Sequence, residues 1–327
     1  MHTQYRRNMM RVMGCTLAFV MTGSAPSATA QQPPIRIVVG ALPGGSTDTL
    51  AREIGKHMAA LLNRTVIVDN RPGAGGNIAA DSVARSAPDG NTLLMAYTSH
   101  TINASLFKQL PYDPVKDFTP ITMVATTPSL LVVAQHVPVN TLSELLTFAR
   151  KNPGKLNIAL GGVGTSIHLA GEKFKAMTGV NFVNVPYKST SPAMADLLAG
   201  HVDVMFANPI TVLPQISAGK IKVLGVSSAV PLKQLPNVPP IGNTIPGFSS
   251  EAWFGLFAPA NLPHDVTQTL YQAAKQAIQD PAFVRRIEAD GGTTPSSGMS
   301  PAQFAAFVAE DVARWAEVIQ ATGAIAD

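Results

Sequence analysis

Short, unbroken apolar runs alternate along this chain with stretches whose apolar residues recur every three or four positions. The runs read as buried strands and the spaced stretches as helices with one buried face. Ile35 to Val39 is the first such run, and Leu50, Ile54, Met58 and Leu61 then mark a helix over 49–62. Strands follow at 65–68 and 92–97, separated by a turn at Pro72–Asn77 and a second helix. A new block opens near residue 130 with a strand at 130–133 and a helix at 141–151. Thr141 and Glu144 form a capping box for that helix, and Pro153-Gly154 stops it. A strand at 156–160 leads into a helix whose buried face carries Ile167, Ala170, Phe174 and Met177. Another helix starts at Ser191-Pro192 and ends at Gly200. Strands at 202–206 and 221–225, a Pro/Gly-rich crossover at 230–248, a strand at 253–257 and three tail helices complete the chain.

Alternation of this kind predicts an α/β fold with largely parallel sheets. The tail helices are too few to make a domain, so they are expected to return to the first block. The predicted organisation is a first, discontinuous lobe of residues 31–130 and 249–327 and a second lobe of residues 131–248. Two crossings join the lobes and act as a hinge.

The first thirty residues read as an export signal. Arg6, Arg7 and Arg11 precede an apolar core at 12–21, and Ala28-Thr29-Ala30 supplies a small-residue cleavage pattern. Arg6-Arg7 leaves the twin-arginine route open beside general secretion, and Val12-Met-Gly-Cys15 is a weaker lipoprotein candidate. Cys15 is the single cysteine and falls in that leader, so the mature chain has no disulfide, thiol nucleophile or thiolate metal site. Removing the three arginines takes the formal charge from +4 to +1. No basic run remains, which argues against a nucleic-acid partner.

The chemistry concentrates in two glycine-rich turns, each between a strand and a helix: Pro43-Gly-Gly-Ser-Thr-Asp48 and Gly161-Gly-Val-Gly-Thr-Ser166. Such a turn presents the unpaired N–H groups of a helix start, which favour an anion. Neither is a nucleotide signature, since the third glycine and a Walker lysine are missing. Two turns more than a hundred residues apart suggest two lobes closing on one small acid. Asp48 is expected to be scaffolding and the best N-cap, because a free carboxylate there would repel the ligand. Ser46 and Thr47, and Thr165 and Ser166 opposite, can donate hydroxyls. His168 can donate to a carboxylate or pack between the lobes, and Lys188 is a solvated charge or a second cationic contact. Trp253 reads as core. No histidine pair stands at zinc spacing, and Ser166 with His168 lacks the elbow and acidic partner of a catalytic triad.

Several motifs together resemble a known family. They are Pro43-Gly-Gly-x-x-Asp48-x-x-Ala51-Arg52, Asn70-Arg-Pro-Gly-Ala-Gly-Gly-Asn77, Pro88-Asp-Gly-x-Thr-Leu93, Leu110-Pro-Tyr-Asp-Pro-Val-Lys-Asp-Phe118, Gly164-Thr-x-x-His-Leu169, Val185-Pro-Tyr-Lys188 and Trp253-Phe-Gly255. From about residue 35 to the end, the chain resembles the Bug-type extracytoplasmic receptors of tripartite tricarboxylate transporters. The resemblance implies a two-lobed periplasmic binding protein fold, no cofactor or metal, and no catalysis. It also implies a monomer in the periplasm that hands a small organic carboxylate to membrane transporter subunits. Ligand contacts carried over with it are Ala41, Leu42, Gly44, Gly45, Ser46 and Thr47 on one side, Gly161, Gly164, Thr165, Ser166 and His168 on the other, and Asn208. This chain has Ala41 where relatives usually carry an aromatic residue. The space so left suggests a bulky ligand, an aromatic dicarboxylate such as terephthalate. A sensor that signals through a partner protein is the alternative role, and an enzyme acting on a carboxylate a more remote one.

Overall fold

The computed structural model describes residues 32–162, 164–187 and 190–322; the expected leader, Val163 and Lys188 lie outside them. Ten strands form two five-stranded sheets. In the first sheet are β1 (Ile35–Val39), β2 (Val66–Asn70), β3 (Thr92–Tyr97), β4 (Phe118–Pro128) and β10 (Glu251–Pro259), in the spatial order β2-β1-β3-β10-β4. The second holds β5 (Leu130–Ala134), β6 (Asn157–Gly161), β7 (Val183–Tyr187), β8 (Val204–Ala207) and β9 (Ile221–Val226), in the order β7-β6-β8-β5-β9. Each sheet with its helices forms one lobe of an α/β fold.

The sheets are mixed where parallel ones were expected. β1 runs parallel to β2 and β3, and β6 to β7 and β8, but β10 is antiparallel to β3 and β4, and β5 to β8 and β9. The two antiparallel strands are the ones that follow each crossing between sheets. At the crossings three buried serines tie the connections together. Ser129 N–H donates to Ser227 Oγ at 2.8 Å, Ser227 N–H to Ser129 O at 2.9 Å, and Ser227 Oγ–H to Ser250 O.

Ten α-helices flank the sheets. On the first lobe, α1 (Ser46–Leu62) and the tail helices α8 (His264–Gln279) and α9 (Pro281–Ala289) cover one face, where Leu50, Ile54, Met58, Leu270, Phe283 and Ile287 meet Ile37, Met95 and Leu256. The opposite face packs α2 (Asn77–Ala84) and α10 (Pro301–Thr322), with Ala79, Val83, Phe304 and Val308 against Val38, Leu94, Trp253 and Phe257. The second sheet is buried by α4 (Leu142–Lys151), α5 (Ser166–Thr178), α6 (Thr190–Ala199) and α7 (Pro209–Ser217) around Phe174, Phe206 and Val132. Thr141 caps α4 as expected, with Glu144 N–H donating to Thr141 Oγ1 at 3.1 Å, but the returning bond of the box shifts by one residue, Glu144 Oε2 accepting from Asn140 N–H at 2.6 Å. Two residues placed on buried helix faces are exposed: Leu61 (47%) and Met177 (40%). Each stands in the last turn of its helix.

Two helices, α7 and the one over Ser99–Leu106, were not read from the hydrophobic pattern. α3 (Ser99–Leu106) is wedged between the sheets with Ser99, His100, Thr101 and Asn103 all buried. Its Ile102 and Leu106 meet Leu169 of α5 and Trp315 and Ile319 of α10 in one apolar cluster. Asp311 anchors that region, accepting from Thr101 Oγ1 at 2.6 Å, Trp253 Nε1 at 2.7 Å, Trp315 Nε1 at 3.2 Å and Arg314.

Candidate functional site

The first glycine turn runs from the end of β1 into α1. The helix starts at Ser46, three residues earlier than expected, with Gly45 in the extended N-cap conformation and no side-chain cap. Asp48 is therefore not the N-cap. It stands third in the helix and reaches back, its Oδ2 accepting from Gly44 N–H at 2.9 Å. Arg52 pairs with both carboxylate oxygens, Nε with Oδ2 at 3.0 Å and Nη2 with Oδ1 at 2.9 Å, and Asn70 Nδ2 donates to Oδ1 at 3.0 Å. Burial opposes the charge, but the Arg52, Gly44 and Asn70 hydrogen bonds together outweigh it and hold the Asp48 pKa below the usual carboxyl value. Asp48 is thus scaffolding, as expected, but by clasping the turn from inside the helix. Asn70 Nδ2 also donates to Ala41 O at 3.1 Å, which fixes the other end of the turn. Thr49 is the first residue whose N–H enters the helix, to Gly45 O at 2.9 Å. The amides of Ser46, Thr47 and Asp48 consequently lie at the open end.

The second turn runs from β6 into α5. Thr165 is its N-cap: Oγ1 accepts from His168 N–H at 3.2 Å and donates to Gly162 O at 2.8 Å. His168 resolves as a packing and turn-holding residue. Its buried Nδ1 accepts from Gly164 N–H at 3.1 Å, so the ring proton sits on Nε2. Burial lowers its pKa, outweighing Glu172 at 4.0 Å, and keeps the ring neutral. Leu169 is the first intrahelical donor, to Thr165 O at 3.1 Å, which leaves the amides of Ser166 and Ile167 at this open end. The turn touches the other lobe: Ser99 Oγ donates to Gly164 O at 3.2 Å, and a Cβ on Gly164 would lie 2.6 Å from Leu106 Cδ2.

A narrow cleft lies beside the mouth of α1, walled by both lobes. Ser46, Thr49 and Leu50 of α1, Ala125, Thr126 and Thr127 of β4, and Phe254 of β10 line it, with Ile287, Asp290 and Gly292 at the end of α9. Asn208 and Ile210, at the start of α7, close it from the second lobe. Of the twelve residues proposed from sequence, Ser46 and Asn208 are the two on this wall. Leu42 is solvent-exposed (70%), and Ala41 packs against the first-lobe core. Gly161 faces Thr190 at the head of α6. Sequence reasoning missed Thr126, Thr127, Asp290 and Ile210. None stands in a motif, and the fold assembles them from three distant segments. Among the described residues, no group of three or more His, Cys, Asp or Glu side chains is placed to hold a metal, and no helix is long and apolar enough to cross a membrane.

The model of the tripartite tricarboxylate transporter family receptor matches residues 50–324. The chain belongs to this receptor family. The protein BugT of Bordetella pertussis is 33% identical over 324 residues, covering 97% of this chain and 99% of the relative. Among solved structures, Rpa4515 of R. palustris with adipate superposes with a TM-score of 0.80 at 32% identity, covering 89% of this chain and 98% of that one. The periplasmic binding protein BugD superposes with a TM-score of 0.78 at 33% identity, covering 90% and 99%. The receptor thus has the two-lobed architecture of periplasmic binding proteins.

Proposed function

We propose that this receptor captures a small organic carboxylate in the periplasm and delivers it, chemically unchanged, to the membrane subunits of a tripartite transporter. The observation that carries the reading is the pair of helix mouths, Ser46 to Asp48 and Ser166 to Ile167, each with its turn immobilised by side chains that leave the outer amides free. Removing a carboxylate from water is costly, and directed N–H donors held ready in advance offset that cost. The relative solved with adipate supports a carboxylate ligand. In this reading residues 31–130 and 249–327 move as one lobe and 131–248 as the other, and the ligand stabilises the closed form by touching both. The receptor works as a monomer, and residues 1–30 are removed on export.

A catalytic role finds no support in the geometry, because the His168 nitrogen that could serve Ser166 is taken by Gly164 N–H. The narrower expectation, terephthalate, has two parts. Its ring suits the cleft walls of Leu50, Ile210, Phe254 and Ile287, but Ala41, whose small side chain suggested the space, stands against the core and not on that wall. A thermal-shift screen of the mature protein against aliphatic diacids, citrate, benzoate, nicotinate, phthalate and terephthalate tests the reading. A ligand at a hundredfold its Kd stabilises the fold by about 2.7 kcal/mol. Shifts with carboxylates and none with the matching amides are the expected result; no shift with any acid overturns the proposal.

A further inference from the structure

The cleft beside α1 is polarised along its length. One end is the open mouth of α1, where Ser46 stands on the wall and amide hydrogens face out. The other end is the C-terminus of α9, where Asp290 stands on the wall with its negative charge. Between them Leu50, Ala125, Phe254, Ile287 and Ile210 make an apolar sleeve. Among the described residues, no Lys, Arg or His lines it. Arg286 pairs with Asp290 Oδ1 at 2.8 Å from outside the cleft, and nearly half of its side chain is exposed. The second oxygen of Asp290 has no partner among the described residues. Asn208 enters from the second lobe with its Oδ1 buried and, among the described residues, without a donor. A buried acceptor left so costs free energy until a donor reaches it.

We infer that Asp290 and Asn208 set the specificity of this receptor, and that its ligand is a monocarboxylate bearing a hydrogen-bond donor, a hydroxyl or an amino group, at the end remote from the acid. The inference rests on the carboxylate reading and deepens it. With the acid at the α1 mouth, the body of the ligand fills the apolar sleeve and its far donor meets Asp290 and Asn208 Oδ1. A second carboxylate at that place would face the Asp290 carboxylate, with no cation on the wall among the described residues to offset it. Arg286 weakens this repulsion through its pairing with Oδ1, so discrimination is moderate and not absolute. Recruiting Asn208 also draws the second lobe onto the ligand, which links recognition of the far group to closure.

Calorimetric titration of the mature protein with two matched series tests the inference. The aromatic series is 4-hydroxybenzoate, 4-aminobenzoate, 4-(aminomethyl)benzoate, 4-methylbenzoate and terephthalate; the aliphatic one is 6-hydroxyhexanoate, 6-aminohexanoate, hexanoate and adipate. In the series that fits, the hydroxyl or amino member binds at least about tenfold tighter than the diacid, and the unsubstituted member lies between. The hydroxyl and ammonium arms decide which donor is preferred. Asp290→Asn narrows the gap to the diacid, and Asn208→Ala weakens the donor-bearing members more than the unsubstituted one; circular dichroism checks that both variants fold. A diacid that binds as tightly as its hydroxyl partner, or a ratio unmoved by Asp290→Asn, overturns the specificity inference and leaves the carboxylate reading standing. Binding by no carboxylate of either series overturns both.

Discussion

Asp48 holds the first turn together from beneath, and replacing it by Asn isolates that role with little change in shape. Both of its oxygens accept hydrogen bonds, from Gly44 N–H and Arg52 on one and from Asn70 and Arg52 on the other. An amide has one acceptor and one NH₂, so one set of donors loses its partner and faces another donor. Hydrogen bonds to a charged group contribute about 1.5–3 kcal/mol each. The Arg52 pair is discounted because its guanidinium is half exposed. What remains, the Gly44 or the Asn70 bond plus the lost charge, gives about 2–4 kcal/mol, or roughly 5 °C in Tm for a chain of this size. Because the folded pKa of Asp48 is lowered, its contribution is complete above the unfolded carboxyl pKa and is lost as pH falls through the folded value. Melting curves followed by circular dichroism at pH 7 and in steps down to pH 3 are the assay. The parent–variant gap is large at neutral pH and shrinks on acidification. A gap under about 1 °C at pH 7, or one that persists unchanged into acid, refutes the clasp.

Gly164→Ala combines a left-handed backbone (φ +78°) with a Cβ 2.6 Å from Leu106 Cδ2, and is expected to cost about 2–4 kcal/mol. Gly154→Ala, at φ +71° with open space around it, carries the backbone cost alone, so denaturant melts that find the two equal would deny the contact between the second turn and α3. His100 is fully buried among Tyr112, Phe118 and Phe257, and burial lowers its pKa from 6.5 to about 4 despite the hydrogen bond to Pro114 O. Its contribution is therefore complete above pH 6.5 and lost as pH falls toward 4, by about 3 kcal/mol. His100→Gln flattens this stretch of the stability profile, and an unchanged slope between pH 6.5 and 4 contradicts it. Asp311→Ala leaves Trp253 Nε1 and Thr101 Oγ1 buried without their acceptor and is expected to destabilise by about 3–5 kcal/mol in urea melts; a loss under 1 kcal/mol means the network is replaced by water.

Strand runs such as Ile35–Val39 and Leu130–Ala134 were legible because nearly every position in them is buried, and the helix at 142–151 because its cap and its one-sided pattern agree. α3 was not, since it is surrounded on all sides and carries buried polar residues in place of an apolar stripe; its Ser99 and Asn103 face backbone and turns of both lobes. β4 was hidden by Pro120 and Pro128 and by its threonines, which read as breaks and turns until its pairing with β10 is seen. The two glycine turns were legible because a turn and its helix mouth are local. The cleft wall was not: Asn208 and Asp290 are eighty residues apart, and the approach of Gly291 to Pro209 that brings their segments together is a property of the folded chain.

The central claim is that one carboxylate is held by both helix mouths at once. A crystal structure of the mature protein with the acid that gives the largest thermal shift tests it most directly. The account predicts carboxylate oxygens within hydrogen-bond distance, about 3 Å, of an amide among Ser46 to Asp48 and of Ser166 or Ile167, directly or through one ordered water. A ligand whose carboxylate lies away from either mouth, or is held by a cationic side chain instead, contradicts it.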